Sequence, residues 1–192
     1  MKKALLLASI LFVSVMSTAC INNFAVQELN SKAKIYMEEG DYNAAIERLK
    51  SSIDLDDTIF ETHYNLAVAY TQAEDYANAI ESYKEAIELD PDMPDSYYSL
   101  AVAEENLTVD LKSGDVRLND DGDIFTPEIE DTEEEVYVPD EKVLEKINFL
   151  REDALKNYQT YLEKAPQSAD AEEVKQKIEA LKSALQAPAV EQ

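Results

Sequence analysis

Gly40-Asp41-Tyr42-Asn43-Ala44-Ala45-Ile46-Glu47 returns further along the chain as Glu74-Asp75-Tyr76-Ala77-Asn78-Ala79-Ile80-Glu81, a spacing of 34 residues between Ala45 and Ala79. A period of that length, written in helix-forming residues, sets one helical hairpin per repeat. A single hairpin cannot bury its own apolar face, so the hairpins must stack into a solenoid. Solenoids present extended surfaces rather than enclosed catalytic pockets. The composition agrees with helix throughout: 192 residues hold three glycines and no tryptophan, while Ala, Leu, Glu and Lys, all good helix formers, are abundant.

The physics of the echo can be read from its residue types. Ala33, Ala45, Ala67 and Ala79 stand where the two helices of a hairpin cross, and only a short side chain lets the axes approach to about 8–10 Å. Leu66, Tyr70, Tyr83 and Ile87 supply bulk around those crossings at helical spacing. Asp90-Pro91 ends the second hairpin, because proline cannot continue a helix, and Pro94 suits the first turn of the next one.

Residues 26–59 and 60–93 resemble tetratricopeptide repeats. In the second copy Leu66, Ala67, Tyr70, Tyr76, Ala79, Tyr83, Ala86 and Pro91 fall on the signature positions. The first copy supplies Ala33, Tyr36, Gly40, Tyr42, Ala45 and Leu49, with Ser52 and Asp57 where the family has Ala and Pro. A third repeat opens at Pro94 with Tyr97, Leu100 and Ala101, and its first helix is expected to run to about Leu107. Its second-helix positions reappear at Ala154, Tyr158, Tyr161 and Pro166. In an uninterrupted repeat the closing proline would fall at 125, so 41 inserted residues split the hairpin. The resemblance implies an all-α solenoid of helical hairpins: repeats 26–59, 60–93 and 94–166, with an acidic insertion at about 113–139. A capping helix at 168–186 with the apolar face Val174, Ile178, Leu181 and Leu185 closes it, and a frayed tail follows at 187–192.

After the insertion, Asp140 to Lys164 reads as one long helix with the stripe Val143, Ile147, Leu150, Leu155 and Tyr158. Two readings of the preceding segment stand open. One is a β-hairpin of Val116 to Asn119 and Ile124 to Thr126 around Asp121-Gly122, a dipeptide favoured in two-residue turns, followed by the acidic run Glu128 to Glu135. The other is a calcium loop, in which Asn119, Asp121 and Glu128 take liganding places, although Arg117 occupies the first and would repel the ion.

In tetratricopeptide arrays the first helices line a concave groove. The matching positions include Asn30, Lys34 and Met37, then Tyr64, Val68 and Thr71, then Tyr98, Val102 and Glu105. Tyr64 and Tyr98 have two readings, as anchors for a bound peptide or as packing between neighbouring first helices. Asn65 fits the family subset that grips terminal carboxylates, but Val68, Asp95 and Ser99 do not.

Met1-Lys2-Lys3 and the apolar run Ala4 to Val15 have the form of an export signal, and the run is too short to span a membrane. Ser17-Thr18-Ala19-Cys20 resembles a bacterial lipobox, with Ser17 where an aliphatic residue is usual. The resemblance implies removal of residues 1–19 and acylation of Cys20, followed by a short linker over 20–25. With Ile21 next to it, placement on the outer membrane facing the periplasm is expected. An ordinary signal peptide with an incidental cysteine is the other reading. Loss of Lys2 and Lys3 would leave 15 basic against 41 acidic residues, a formal charge of −26. That field repels phosphate backbones and anionic lipid headgroups, so nucleic acid is not an expected partner and membrane attachment has to come through lipid.

No catalytic constellation is visible. His63 is the only histidine, expected at a solvated helix start beside Glu61, and Cys20 is the only cysteine. No cofactor is expected and no enzyme. The expected role is a membrane-anchored adaptor that binds an envelope protein or peptide in its groove, homo-oligomerisation being open. The alternative is a ligand-binding or metal-responsive envelope component that uses the acidic insertion.

Overall fold

A computed structural model describes residues 23–127 and 137–187. The export signal with Cys20, the run from Glu128 to Val136, and residues 188–192 lie outside the described residues. Helix α1 occupies residues 23–39. It is followed by α2 (Tyr42–Ile53), α3 (Phe60–Gln72), α4 (Tyr76–Leu89), α5 (Pro94–Ser113), the strands β1 (Arg117–Leu118) and β2 (Ile124–Phe125), α6 (Glu141–Lys164) and α7 (Ala171–Gln186). From α2 onward each helix packs chiefly on its neighbours in sequence, which is the connectivity of a solenoid. The expected architecture is present: hairpins α1–α2, α3–α4 and α5–α6, with α7 closing the end.

The echo in the sequence is an echo in the backbone. The Asp41 amide donates to the Tyr36 carbonyl at 2.9 Å, and 34 residues on Asp75 donates to Tyr70 at 2.9 Å. Asp41 Oδ1 accepts from the Ala44 amide at 3.1 Å and Asp75 Oδ1 from the Asn78 amide at 3.3 Å, so each second helix carries the same carboxylate cap. The residue before each cap is left-handed: Gly40 at φ 78° and Glu74 at φ 61°. The turn requires that conformation, and only the first repeat meets it with glycine.

The six alanines at the crossings, Ala33, Ala67 and Ala101 on first helices and Ala45, Ala79 and Ala154 on second helices, are 0–1% exposed. The third pair is in register with the other two despite the 41 intervening residues. Where the first repeat has Ser52 instead of alanine, the side chain is fully buried and accepts from Asn30 Nδ2 at 2.8 Å. The same amide lies 3.1 Å from Thr62 Oγ1, so a small polar knot joins α1, α2 and α3.

The third hairpin departs from expectation in length. α5 does not stop near Leu107 but runs to Ser113. Leu107 and Leu111 are buried there in one cluster with Val143, Ile147 and Leu150 of α6, so the two elongated helices zip together. Gly114 ends α5 with φ 84°, its amide donating to the Asp110 carbonyl at 3.0 Å. A Cβ there would meet the Tyr137 ring at 2.6 Å, so both geometry and space demand glycine.

The insertion forms the expected β-hairpin, with Leu118 opposite Ile124 and Arg117 opposite Phe125. Its loop is wider than a two-residue turn. The Asn119 amide donates to the Asp123 carbonyl at 2.9 Å, and Asn119 Oδ1 accepts from the Asp123 amide at 2.8 Å. Asp140 caps α6 by accepting from the Val143 amide at 2.9 Å. α7 starts at Ala171 rather than 168, and Asp170 makes no cap bond. Its Oδ1 instead accepts from the Tyr161 hydroxyl at 2.6 Å.

His63 is likewise not at a solvated start. It is 7% exposed, with Nε2 2.8 Å from the Asp57 carbonyl, and it ties the α2–α3 loop to α3.

Because Glu74 holds a left-handed conformation that glycine adopts freely, Glu74→Gly should raise stability by about 0.5–1 kcal/mol, read as a higher midpoint in thermal melts. Ile147→Ala, at a fully buried position in the elongated part of α6, should lower stability by about 2–5 kcal/mol.

Candidate functional site

The first helices α1, α3 and α5 carry the groove positions, and the structure sorts those residues into two groups. Asn30, Lys34, Met37 and Val68 come together, with Asn65 and Gln72, on a cleft of about 720 Å³ between α1 and α3. Met37 and Val68 are partly buried against the main core and give the cleft an apolar floor. Lys34 is exposed beside it and makes no ion pair among the described residues. Amides, an alkyl floor and one cation can hold a peptide backbone and an acidic group together.

The remaining positions are taken up by the protein itself. Tyr64 stacks on Phe60 with ring centroids 5.7 Å apart, meets Tyr83 edge-on at 5.7 Å, and has its hydroxyl 3.4 Å from Ser99 Oγ. Thr71 Oγ1 donates to the Ala67 carbonyl at 2.9 Å. Tyr98 lies edge-on to Tyr158 at 5.8 Å and tilted against Tyr161 at 5.3 Å. Both tyrosines are half-buried, and their ring partners on other helices belong to second helices, α4 and α6, rather than to neighbouring first helices. Val102 and Glu105 line a smaller cleft of about 320 Å³ with Lys112, Arg151, Lys177 and Leu181. Glu105 there accepts from the Tyr158 hydroxyl and from Lys177 Nζ of α7 at 3.0 Å. Burial, with the Glu105 hydrogen bond and charge added, holds the Tyr158 phenol well above its ordinary range.

α7 therefore stands where a fourth first helix would stand, and its Lys177 and Leu181 face the third repeat. Lys177 was findable: it lies between Val174 and Ile178 on the apolar-faced helix, one turn before Leu181. The weak cation candidates do not converge. Asn119 spends its amide on the hairpin loop, Asp121 is exposed, and Glu128 lies outside the described residues. Among the described residues no group of three His, Cys, Asp or Glu side chains could hold a metal ion. None of the described helices is long and apolar enough to cross a membrane.

One ionisable group not foreseen from the sequence is Glu104, 1% exposed on α5. Asn157 Nδ2 donates to its Oε2 at 2.9 Å. Burial pushes its pKa up to about 8, Asp153 adding to the rise while the Asn157 bond and Lys84 oppose it.

A family profile described as tetratricopeptide repeat matches residues 60–93, and a second, described as TPR repeat, matches 33–73. A sequence comparison with curated proteins finds no match. Among solved structures, the chain is similar to the first TPR of Spaghetti (RPAP3) bound to an HSP90 peptide. They share 18% identity over 85% of this chain and 95% of that one, with a TM-score of 0.58. The TPR2B domain of yeast Sti1 in a pHsp70 complex gives 15% identity, 84% and 98% coverage, and a TM-score of 0.56. The Sgt2 TPR domain from Aspergillus fumigatus gives 15% identity, 87% of each chain, and 0.54. At such identities the likeness is one of fold.

Glu104 yields a pH test. Its folded-state pKa lies above the unfolded value, so the protonated form favours folding. That stability is complete below about pH 4.5 and is lost as pH rises through about 8. Glu104→Gln should therefore be more stable than the parent at pH 9, by on the order of a few kcal/mol in denaturant unfolding, and the gap should close towards pH 5.

Proposed function

We propose that this chain, a member of the tetratricopeptide-repeat family, is an adaptor that docks a segment of a partner protein in the cleft between α1 and α3. The observation that carries this reading is the cleft itself. Asn30, Lys34 and Met37 of the first repeat and Val68 of the second stay on this cleft, with Asn65 and Gln72 beside them, whereas Tyr64 and Thr71 pack or bond within the solenoid and the third-repeat positions Tyr98 and Glu105 face α6 and α7. Similar folds hold peptides of HSP90 and Hsp70 in the solved complexes, which supports a peptide or protein as the occupant. Lys34, set in a strongly acidic chain, favours a carboxylate or a backbone carbonyl of the bound segment at that end. The only histidine is bonded to a backbone carbonyl, and docking needs no catalytic group.

The lipobox-like sequence ending at Cys20 supports a lipid anchor in a bacterial envelope, with the solenoid held at the outer membrane and facing the periplasm. The acidic surface then favours basic or neutral partners and speeds their encounter.

A photocrosslinker at Val68, which faces the cleft, should trap one dominant envelope protein in cells. Lys34→Glu, at an exposed position, should weaken that adduct without lowering the melting point. Adducts with no protein partner, or adducts indifferent to this substitution, would refute the docking reading. Cys20→Ala should release the protein from the membrane fraction, and a variant that stays membrane-bound would refute the anchor.

A further inference from the structure

The insertion builds a surface that the repeats alone lack. Elongation of α5 to 20 residues and of α6 to 24, against 13 and 14 for α3 and α4, carries the β-hairpin out beside the start of α4. Val116 and Ile124 anchor that hairpin on the main core. Between the hairpin, α4, α5 and α6 lies a cleft of about 650 Å³, and none of its lining residues lines the α1–α3 groove.

Three features of this cleft bear on what it holds. Seven of its lining residues are carboxylates (among them Glu81, Glu104, Asp110 and Asp153) and only two are lysines. Both lysines are engaged: Lys84 lies 3.3 Å from Glu81, and Lys146 sits 5.8 Å over the Phe149 ring. Two aromatic rings at the cleft, Phe125 and Phe149, are 44% and 53% exposed, a large apolar area to leave in water. Glu104 is 1% exposed and lines the cleft with one oxygen bonded to Asn157. Burial keeps it largely protonated at neutral pH, and a cation entering the cleft would favour its charged form.

We propose that this cleft is a second docking site, taking a basic segment of a partner protein whose arginine enters over the phenylalanine rings and pairs with the carboxylates. Arginine matches both halves of the lining, since its planar guanidinium stacks on aromatic faces and donates several hydrogen bonds to carboxylates. A second copy of this chain, at a formal charge of −24, is repelled. The chain's own continuation from Glu128 to Glu135 carries six more acids and no arginine, so it lacks the group that this lining matches. Burial, with the charges of Asp115 and Glu74 added, raises the Asp110 carboxyl as well, and Glu74 is one of the acids that line the cleft.

The probe is a fluorescein-labelled, amidated peptide Leu-Arg-Leu-Phe-Arg-Leu, titrated with the whole protein and followed by anisotropy, beside the same peptide with Glu for Arg. The arginine peptide should bind and the glutamate peptide should not. Phe149→Ser combined with Glu81→Lys should weaken binding at least about tenfold. Both side chains are mostly exposed, so the double variant should fold, and an unchanged melt checks this. Glu179→Lys, on α7, alters net charge as much as Glu81→Lys and should leave affinity within about twofold. Lys34→Glu should not weaken it. Absence of binding at millimolar protein overturns the proposal. So does equal binding of the glutamate peptide, survival of affinity in the double variant, or loss of affinity in Lys34→Glu, which would place the peptide in the groove instead.

Discussion

The approach of two helices over a pair of alanines is the constraint on which the rest of this structure depends. Ala33 with Ala45, Ala67 with Ala79, and Ala101 with Ala154 are all at most 1% exposed. A larger side chain at any of them would push the axes apart and undo the fit of the surrounding Leu and Tyr residues. The third pair shows how strict the constraint is. Its two alanines stand 41 residues further apart in sequence than those of the other repeats, and the crossing is nevertheless restored. The inserted chain has to leave and re-enter at the open end of the hairpin without prying it apart.

That requirement accounts for the shape of the insertion. Elongating both helices lets the extra residues form a second zipper, Leu107 and Leu111 against Val143, Ile147 and Leu150, continuous with the main core. Gly114 then turns the chain through a left-handed residue where no side chain would fit. The short β-hairpin beyond is too small to be stable alone, and it is held by Val116, Leu118 and Ile124 on the core. The cleft beside α4 follows from this lengthening, because helices of ordinary length would end before reaching it.

The repeats, the split of the third hairpin, the hairpin strands and the long α6 were all legible from one chain, because each rests on local periodicity or turn chemistry. The length of α5 was not, since Leu107 and Leu111 look like a fading pattern until Ile147 and Val143 are placed opposite them. Nor was the fate of Tyr64 and Tyr98. A 34-residue frame places both on first helices, but whether a ring faces a ligand or a neighbour depends on Tyr83, Tyr158 and Tyr161, which approach from the second helices. Asn30 shows both sides of this: it lines the groove while its amide is bonded inward to Ser52 and Thr62. The burial of His63 was hidden for a similar reason, its partner being a backbone carbonyl that no residue type advertises.

The central claim is that the insertion is a rigid continuation of the solenoid and not a lobe hung from it, for only then can it present a fixed cleft. Native-state hydrogen exchange resolved by residue tests this directly. If the claim holds, the amides of Leu107, Leu111, Ile147 and Leu150 exchange only by the same large-scale opening that exposes those of Ala67 and Ala79. Exchange of the four by local fraying, while the alanine crossings stay protected, would contradict it.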